Sequence, residues 1–314
     1  MDTERDFHKR SVEFRSRGEP CAASFYVPLK ARAPHPCVVM ANGFSGTKDW
    51  ILPDFAAHFA SRGIAVLTFD YRRLGESGGT PRQVIDTDEQ FADLEAAIHF
   101  AKNKSDVDPH ALGLWGTSLG GNYVIRYLGN TDVIATAVLN APALDAVRGA
   151  NLKKKSKAAG AGLLAVLGAT ARLFILAVYD RLRATLGASP CYVKVYGDPG
   201  RAFFTDPALQ PLFDRLEREN TRWKNQVGAR FLLKPPRYQE GTMQRIRIPL
   251  LFCLAERDLE ISNDYVKAKA SLTPQATVKT YPAAHFDLYH RPTLDNVLAD
   301  QFEFLSRHLG RSPG

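Results

Sequence analysis

The sequence predicts an α/β fold: a doubly wound, mainly parallel sheet carrying one long inserted helical segment. Three observations point there. Short β-branched or aromatic runs alternate with amphipathic helical patterns, the alternation stops for about a hundred residues and then resumes, and a glycine-flanked serine sits where one strand hands over to a helix. With 314 residues, 45% of them hydrophobic and 24% charged, the chain can bury a large core and has no compositional mark of disorder.

In order along the chain, strands are expected at residues 22–27, 37–40, 65–70, 112–115, 135–139, 250–255 and 277–281, each bounded by turn formers. Helices are expected at 53–62, 88–102, 122–129, 263–272 and 291–309, where apolar residues recur three and four apart. Helices of that length between strands cover both faces of a parallel sheet, and an antiparallel pair is expected to open it near the N-terminus. The core therefore comprises residues 1–145 and 246–314, and residues 146–245 form an inserted helical cap, with helix at 158–185 and further amphipathic helix at 207–233.

Composition removes several function classes. The opening MDTERDFHKR has charges of both signs and no apolar stretch, so neither a secretory signal nor a transit peptide is expected. Cys21, Cys37, Cys191 and Cys253 lack any C-x-x-C spacing; they suit reduced thiols in a cytoplasmic protein, with no metal site and no cofactor. The apolar run from Ala158 is cut by Arg172 before it reaches membrane-spanning length, which leaves only peripheral contact through KKKSK and its apolar face. The net charge of +8 is concentrated: residues 146–245 hold 18 Lys/Arg against 7 Asp/Glu. No nucleic-acid-binding module accompanies that charge, so nucleic acid is not the expected partner. Two uses of the charge stay open, solubility alone or attraction of an anionic acyl donor by Lys153, Lys154, Lys155 and Lys157.

The chemistry centres on GLWGTSLGGNY at residues 113–123. A nucleophile on a tight strand-to-helix corner needs small residues two before and two after it, and Gly116 and Gly120 flank Ser118 in that way. A serine hydroxyl needs a base. Of the histidines beyond the insertion, His285 lies in the loop PAAHFD after a strand, whereas His308 falls within the last helix and His290 at its start. Asp258, at the end of LLFCLAERD, is the favoured acid to orient that imidazole, in the chain order Ser, Asp, His; Glu256, Glu260, Asp264 and Asp145 are the rivals. The oxyanion of an acyl-transfer intermediate needs two donors, for which the backbone amides of Leu119 and of Phe44, in ANGFSGTKDW, are the candidates.

VVMANGFSGTKDW, FDYRRLGESGGTPRQVID, LWGTSLGG, AERD and AAHFDLYH together resemble the successive signatures of the α/β-hydrolase superfamily, from about residue 10 to the end except the insertion. The nearest branch it resembles holds dienelactone-hydrolase-like enzymes and the microbial thiohydrolases and polyketide acyltransferases, with a YGDPGRAFFTDP-like segment in the cap. The resemblance implies a Ser118, Asp258, His285 triad and oxyanion amides at Phe44 and Leu119, with Asn42-Gly43 standing where the superfamily usually has His-Gly. The function read from all this is a cofactor-independent serine hydrolase of a carboxylic ester or thioester. Acyl transfer from the same acyl-enzyme and a non-catalytic binding protein on the same scaffold are the alternatives, and the oligomeric state stays open between monomer and homodimer.

Overall fold

The computed structural model describes residues 6–131, 133–151, 163–219 and 222–310. In chain order the elements before the insertion are β1 (Phe7–Ser16), β2 (Glu19–Pro28), β3 (His35–Ala41), α1 (Leu52–Ala60), β4 (Ala65–Phe69), α2 (Thr87–Lys102), β5 (Val107–Thr117), α3 (Leu119–Leu128) and β6 (Thr136–Asn140). The insertion holds α4 (Leu163–Thr185), β7 (Tyr192–Tyr196), β8 (Ala202–Phe204), α5 (Gln210–Glu219), β9 (Val227–Gly228) and the single turn α6 (Thr242–Arg245). The chain then returns to the core as β10 (Leu250–Ala255), α7 (Asn263–Ala270), β11 (Ala276–Tyr281) and α8 (Thr293–Leu309).

The main sheet has eight strands in the order β1-β2-β4-β3-β5-β6-β10-β11. β2 pairs antiparallel with β1 and β4, and every other neighbouring pair is parallel. β3, β4, β6 and β10 are mostly apolar and buried on both faces, as strands under helices on two sides must be. β1 shows no run of that kind. In its charged FHKRSVEFRS, residues 8–11 are all exposed, and exposed and covered side chains alternate only from Val12, which suits an edge strand.

The insertion departs from an all-helical reading. A three-stranded sheet in the order β8-β7-β9 lies inside it, and of the described residues in 207–233 only 210–219 are α-helix, with 3-10 turns at Pro207–Leu209 and Ala229–Leu233. The strands escape a periodicity search because they are two to five residues long and interrupted by Gly197, Pro199 and Gly200. Lys153, Lys154, Lys155 and Lys157 lie outside the described residues. None of the described helices is long and apolar enough to cross a membrane.

Two ion pairs, each built on a buried carboxylate, fix the layers. Asp93 on α2 accepts the backbone N–H of Arg72 (2.9 Å) and its Nε (2.9 Å), while Arg72 Nη2 reaches Ser16 Oγ on β1 (2.7 Å). Asp180 on α4 is fully buried and accepts from Cys191 N (2.7 Å), Arg230 N (2.8 Å) and the Arg230 guanidinium, tying the helix to the rest of the insertion. Removing one partner of such a pair strands the other charge away from water. Arg72→Met should therefore cost about 3–5 kcal/mol of unfolding free energy, read by urea titration; a loss below about 1 kcal/mol would contradict this account of the Asp93 pair.

Candidate active site

Ser118 stands between β5 and α3 with φ 48° and ψ −117°, a left-handed conformation that few side-chain-bearing residues adopt. Its backbone is held from two sides: its N–H donates to Asn140 O (3.0 Å), and its carbonyl accepts from Gly121 N (3.0 Å) and Ala143 N (2.8 Å). The flanking glycines are steric requirements. A Cβ on Gly116 would stand 2.7 Å from Gly120 O, one on Gly120 2.2 Å from Ala41 O, and one on Gly121 2.6 Å from Pro142 Cβ.

The loop after β3 packs directly on this corner, since a Cβ on Gly43 would lie 3.2 Å from Ser118 Cβ. Asn42 is buried and braces the loop with its side-chain amide: Nδ2 donates to Thr47 O (2.6 Å), and Oδ1 accepts the N–H of Gly43 (2.8 Å). That is the work done by the residue replacing the usual histidine. It occupies the Gly43 amide, and the next amide along the loop belongs to Phe44. The N–H of Leu119 belongs to the first turn of α3, where no intrahelical acceptor is within reach.

His285 and Asp258 meet below the carboxyl ends of β10 and β11. Asp258 Oδ2 lies 2.8 Å from His285 Nδ1, and both side chains are buried. The other carboxylate oxygen accepts Glu260 N (2.8 Å) and Ile261 N (2.9 Å), so the acid cannot swing away. A carboxylate only accepts, which sets the hydrogen on Nδ1 and turns Nε2 outward as a base. His285 and Ser118 line one pocket, with Asn42, Gly43, Phe44, Trp50, Ile51, Thr117, Phe204, Phe286 and Tyr289.

The rivals go elsewhere. Asp145 spends its oxygens on Val147 N (2.9 Å), Arg148 N (2.8 Å), Arg148 Nε (3.1 Å) and Tyr238 N (3.1 Å), bracing the start of the insertion. Glu256 is exposed, Glu260 is half-buried with its N–H donated to Asp258, and Asp264 is exposed in the first turn of α7. His308 lies on α8, and its ring packs on Phe304. His290 faces a neighbouring cleft of about 600 Å³ with Arg215, Arg222, Asp54 and Glu219; burial and then Arg215 push its pKa down.

The roof comes from the insertion and is aromatic; the sequence reading sets an inserted segment over the acyl pocket but does not single out the phenylalanines that line it. Phe44 packs against Phe203 (4.7 Å between ring centres), Phe231 (4.9 Å) and Phe204 (6.0 Å), and Phe286 against Phe204 (5.5 Å) and Phe213 (5.9 Å). Trp223 Nε1 also donates to Ser45 O (3.0 Å) in the loop beside Ser118. The only advance signal was Phe203-Phe204 inside a turn-rich stretch. The open space left around Ser118 is about 20 Å³, little more than one water needs. Among the described residues, no group of three or more His, Cys, Asp or Glu is placed to hold a metal ion.

Fold and site define an α/β hydrolase. Residues 32–293 match the family described as serine aminopeptidase, S33, and the chain belongs to that family. It is 33% identical over 298 residues, 94% of each chain, to the quorum-quenching protein AidA of Acinetobacter baumannii (strain MDR-ZJ06). It is 28% identical over 305 residues, 96% of this chain and 97% of the relative, to the polyketide transferase grgF of Penicillium sp. Over a shorter stretch, 86 residues and 27% of each chain, it is 44% identical to the thiohydrolase aneE of Aspergillus aculeatus (strain ATCC 16872 / CBS 172.66 / WB 5094). In fold it is similar to the solved structure of the α/β hydrolase GrgF from Penicillium sp. sh18, with a TM-score of 0.76 and 23% identity over 97% of this chain and 100% of the other. The chain is thus an enzyme of a serine hydrolase family whose members include hydrolases and acyltransferases.

The brace in the loop is open to test. Asn42→Ala removes the side-chain acceptor of Gly43 N–H and one of the two donors to Thr47 O, leaving the Trp50 N–H there, so the loop is less firmly held. Misplacement by about 1 Å can cost on the order of a hundredfold in rate. Turnover of a chromogenic ester should fall about 10- to 100-fold with KM nearly unchanged. Unchanged turnover would show that Asn42 does not set the loop.

Proposed function

We propose that the protein cleaves a carboxylic ester or thioester through an acyl-serine intermediate. The observation that carries this reading is the convergence on one pocket of a serine at a strained corner and a histidine whose Nδ1 is held by a buried carboxylate. Ser118 Oγ attacks the acyl carbonyl as His285 Nε2 takes its proton, and the oxyanion is held by the amides of Phe44 and Leu119. The intermediate collapses with loss of the alcohol or thiol, which takes the proton from His285. Water, activated by the same imidazole, then releases the acid and returns Ser118 to its starting state.

In this reading residues 146–245 are the cap, whose phenylalanines shape an apolar acyl pocket, and the enzyme works in the cytoplasm on a small-molecule substrate. The four cysteines are unpaired. Burial pushes the thiols of Cys21 and Cys253 up to about 12 and about 11, which keeps them unreactive. Acyl transfer is the second reading, favoured by one specific feature: phenylalanines from the insertion pack over the pocket, and a roof of that kind, closed over the acyl-enzyme, would give an alcohol or amine acceptor an advantage over water. The name of the polyketide transferase relative agrees with it.

Kinetics of three variants test the assignment. Ser118→Ala should lower turnover at least about a thousandfold while the fold is retained. Asp258→Asn should cost orders of magnitude, and Asp145→Asn should cost little per folded molecule; the reverse order for the two acids would move the orienting carboxylate to the earlier strand.

The substrate's charge has its own test. If the basic insertion attracts an anionic acyl thioester, kcat/KM for that substrate should fall as salt is raised, because exposed charges act over about 8–10 Å at ordinary ionic strength. For a small neutral ester it should stay level. Equal salt dependence for both would assign the charge to solubility.

A further inference from the structure

α4 carries an unexplained surface. Its inward face is fixed by buried Asp180 and Ala177 and by half-buried Leu173 and Leu176, so its rotation about its own axis is set. The opposite face shows water an uncharged stripe: Leu164, Leu167, Phe174, Ile175, Val178, Tyr179 and Leu182, continued by Leu186 just beyond the helix, with exposures from 39% to 85%. Monomers seldom leave a contiguous apolar patch of this size uncovered. Ala171 and Gly168 lie in the same stripe, and a Cβ on Gly168 would meet nothing within 4 Å, so packing within the monomer does not call for glycine there.

Two features of the stripe indicate what covers it. Positions 164, 167, 171, 174 and 178 repeat at alternating intervals of three and four, the spacing of a helix seam that meets another helix rather than a broad lipid-facing surface. The stripe is also symmetric about its middle. A copy running antiparallel across a two-fold axis between residues 174 and 175 sets Leu167 opposite Leu182, Ala171 opposite Val178 and Phe174 opposite Ile175, so the middle of the contact is apolar on both sides, while Leu164 meets Thr185, Tyr179 meets Thr170 and Gly168 meets Arg181 toward its margins. An isologous contact requires this kind of self-complementarity, and a bilayer has no use for it. Arg172, Arg181 and Arg183 stand at the edges of the stripe, which places them on the wet rim of such a contact. Eight large side chains at these exposures present apolar surface on the order of the roughly 800 Å² that each partner gives to a standard interface.

We infer that the stripe on α4 is the homodimer interface of this protein, formed by antiparallel pairing of α4 with its two-fold-related copy. Sedimentation equilibrium of the full chain at tens of micromolar should give a dimer. Phe174→Glu with Ile175→Glu should give a monomer with unchanged far-UV circular dichroism and a melting temperature that no longer rises with protein concentration, since both side chains are exposed in the single chain. Register is tested in a Cys191→Ser background, with Leu167→Cys and Leu182→Cys together. The two positions lie about 22 Å apart along one helix, too far to bridge within a chain, so mild oxidation should give a disulfide-linked dimer on a denaturing gel. Leu164→Cys with Leu167→Cys should not, because neither faces itself or the other across the axis. A monomeric wild-type chain, a dimer that survives the two glutamates, or the same linkage by both cysteine pairs would overturn the inference. So would a monomer that binds vesicles of phosphatidylcholine and phosphatidylserine and loses that binding with the two glutamates, because it would assign the stripe to lipid.

Discussion

The structure turns on one close approach: the first turn of α3 lies so near the end of β3 that a single methyl group on Gly120 would come within 2.2 Å of Ala41 O. That proximity sets Ser118 in a left-handed conformation, places the first amide of α3 beside the loop of Asn42, Gly43 and Phe44, and leaves both at the carboxyl edge of the parallel strands. A backbone in this state is sustained only because its surroundings over-determine it. Here they do so through the three hydrogen bonds to Asn140, Gly121 and Ala143.

The insertion belongs to the same mechanical unit. It leaves the core just after β6, where Asp145 gathers four donors, and Asn151 at its start donates to the carbonyl of Asp258 (2.9 Å). Further along, Trp223 holds Ser45 O, and three phenylalanines pack on Phe44. The chain that roofs the pocket therefore also touches the acid loop on one side of the site and the loop beside the serine on the other.

Much of this was legible in the residues because the signals were local. The glycines around Ser118, the apolar runs of β3, β4, β6 and β10, and the order Ser, Asp, His are all contained in short windows, and the meeting of Asp258 with His285 follows from adjacent parallel strands that end together. What escaped depends on contacts across long separations. Trp223 and Ser45 lie 178 positions apart, and nothing near either residue announces the other. The strands β7, β8 and β9 are too short for a period of two to register, and charged β1 reads as surface because it is an edge strand. Asn42 could be seen as a departure from the usual histidine, but its bracing of the loop appears only once Thr47 O and Gly43 N–H are in place around it.

The central claim is a covalent one, that an acyl group rests on Ser118 between two half-reactions. Rapid-quench mass spectrometry of the enzyme mixed with an excess of a short acyl thioester tests it most directly. The account predicts that the chain gains the mass of one acyl group within the first turnover, that the added mass maps to the peptide containing Ser118, and that the adduct fails to form in His285→Ala. Sustained turnover by the wild-type enzyme with the acyl group on another residue, or an adduct that forms as fast without His285, would contradict it.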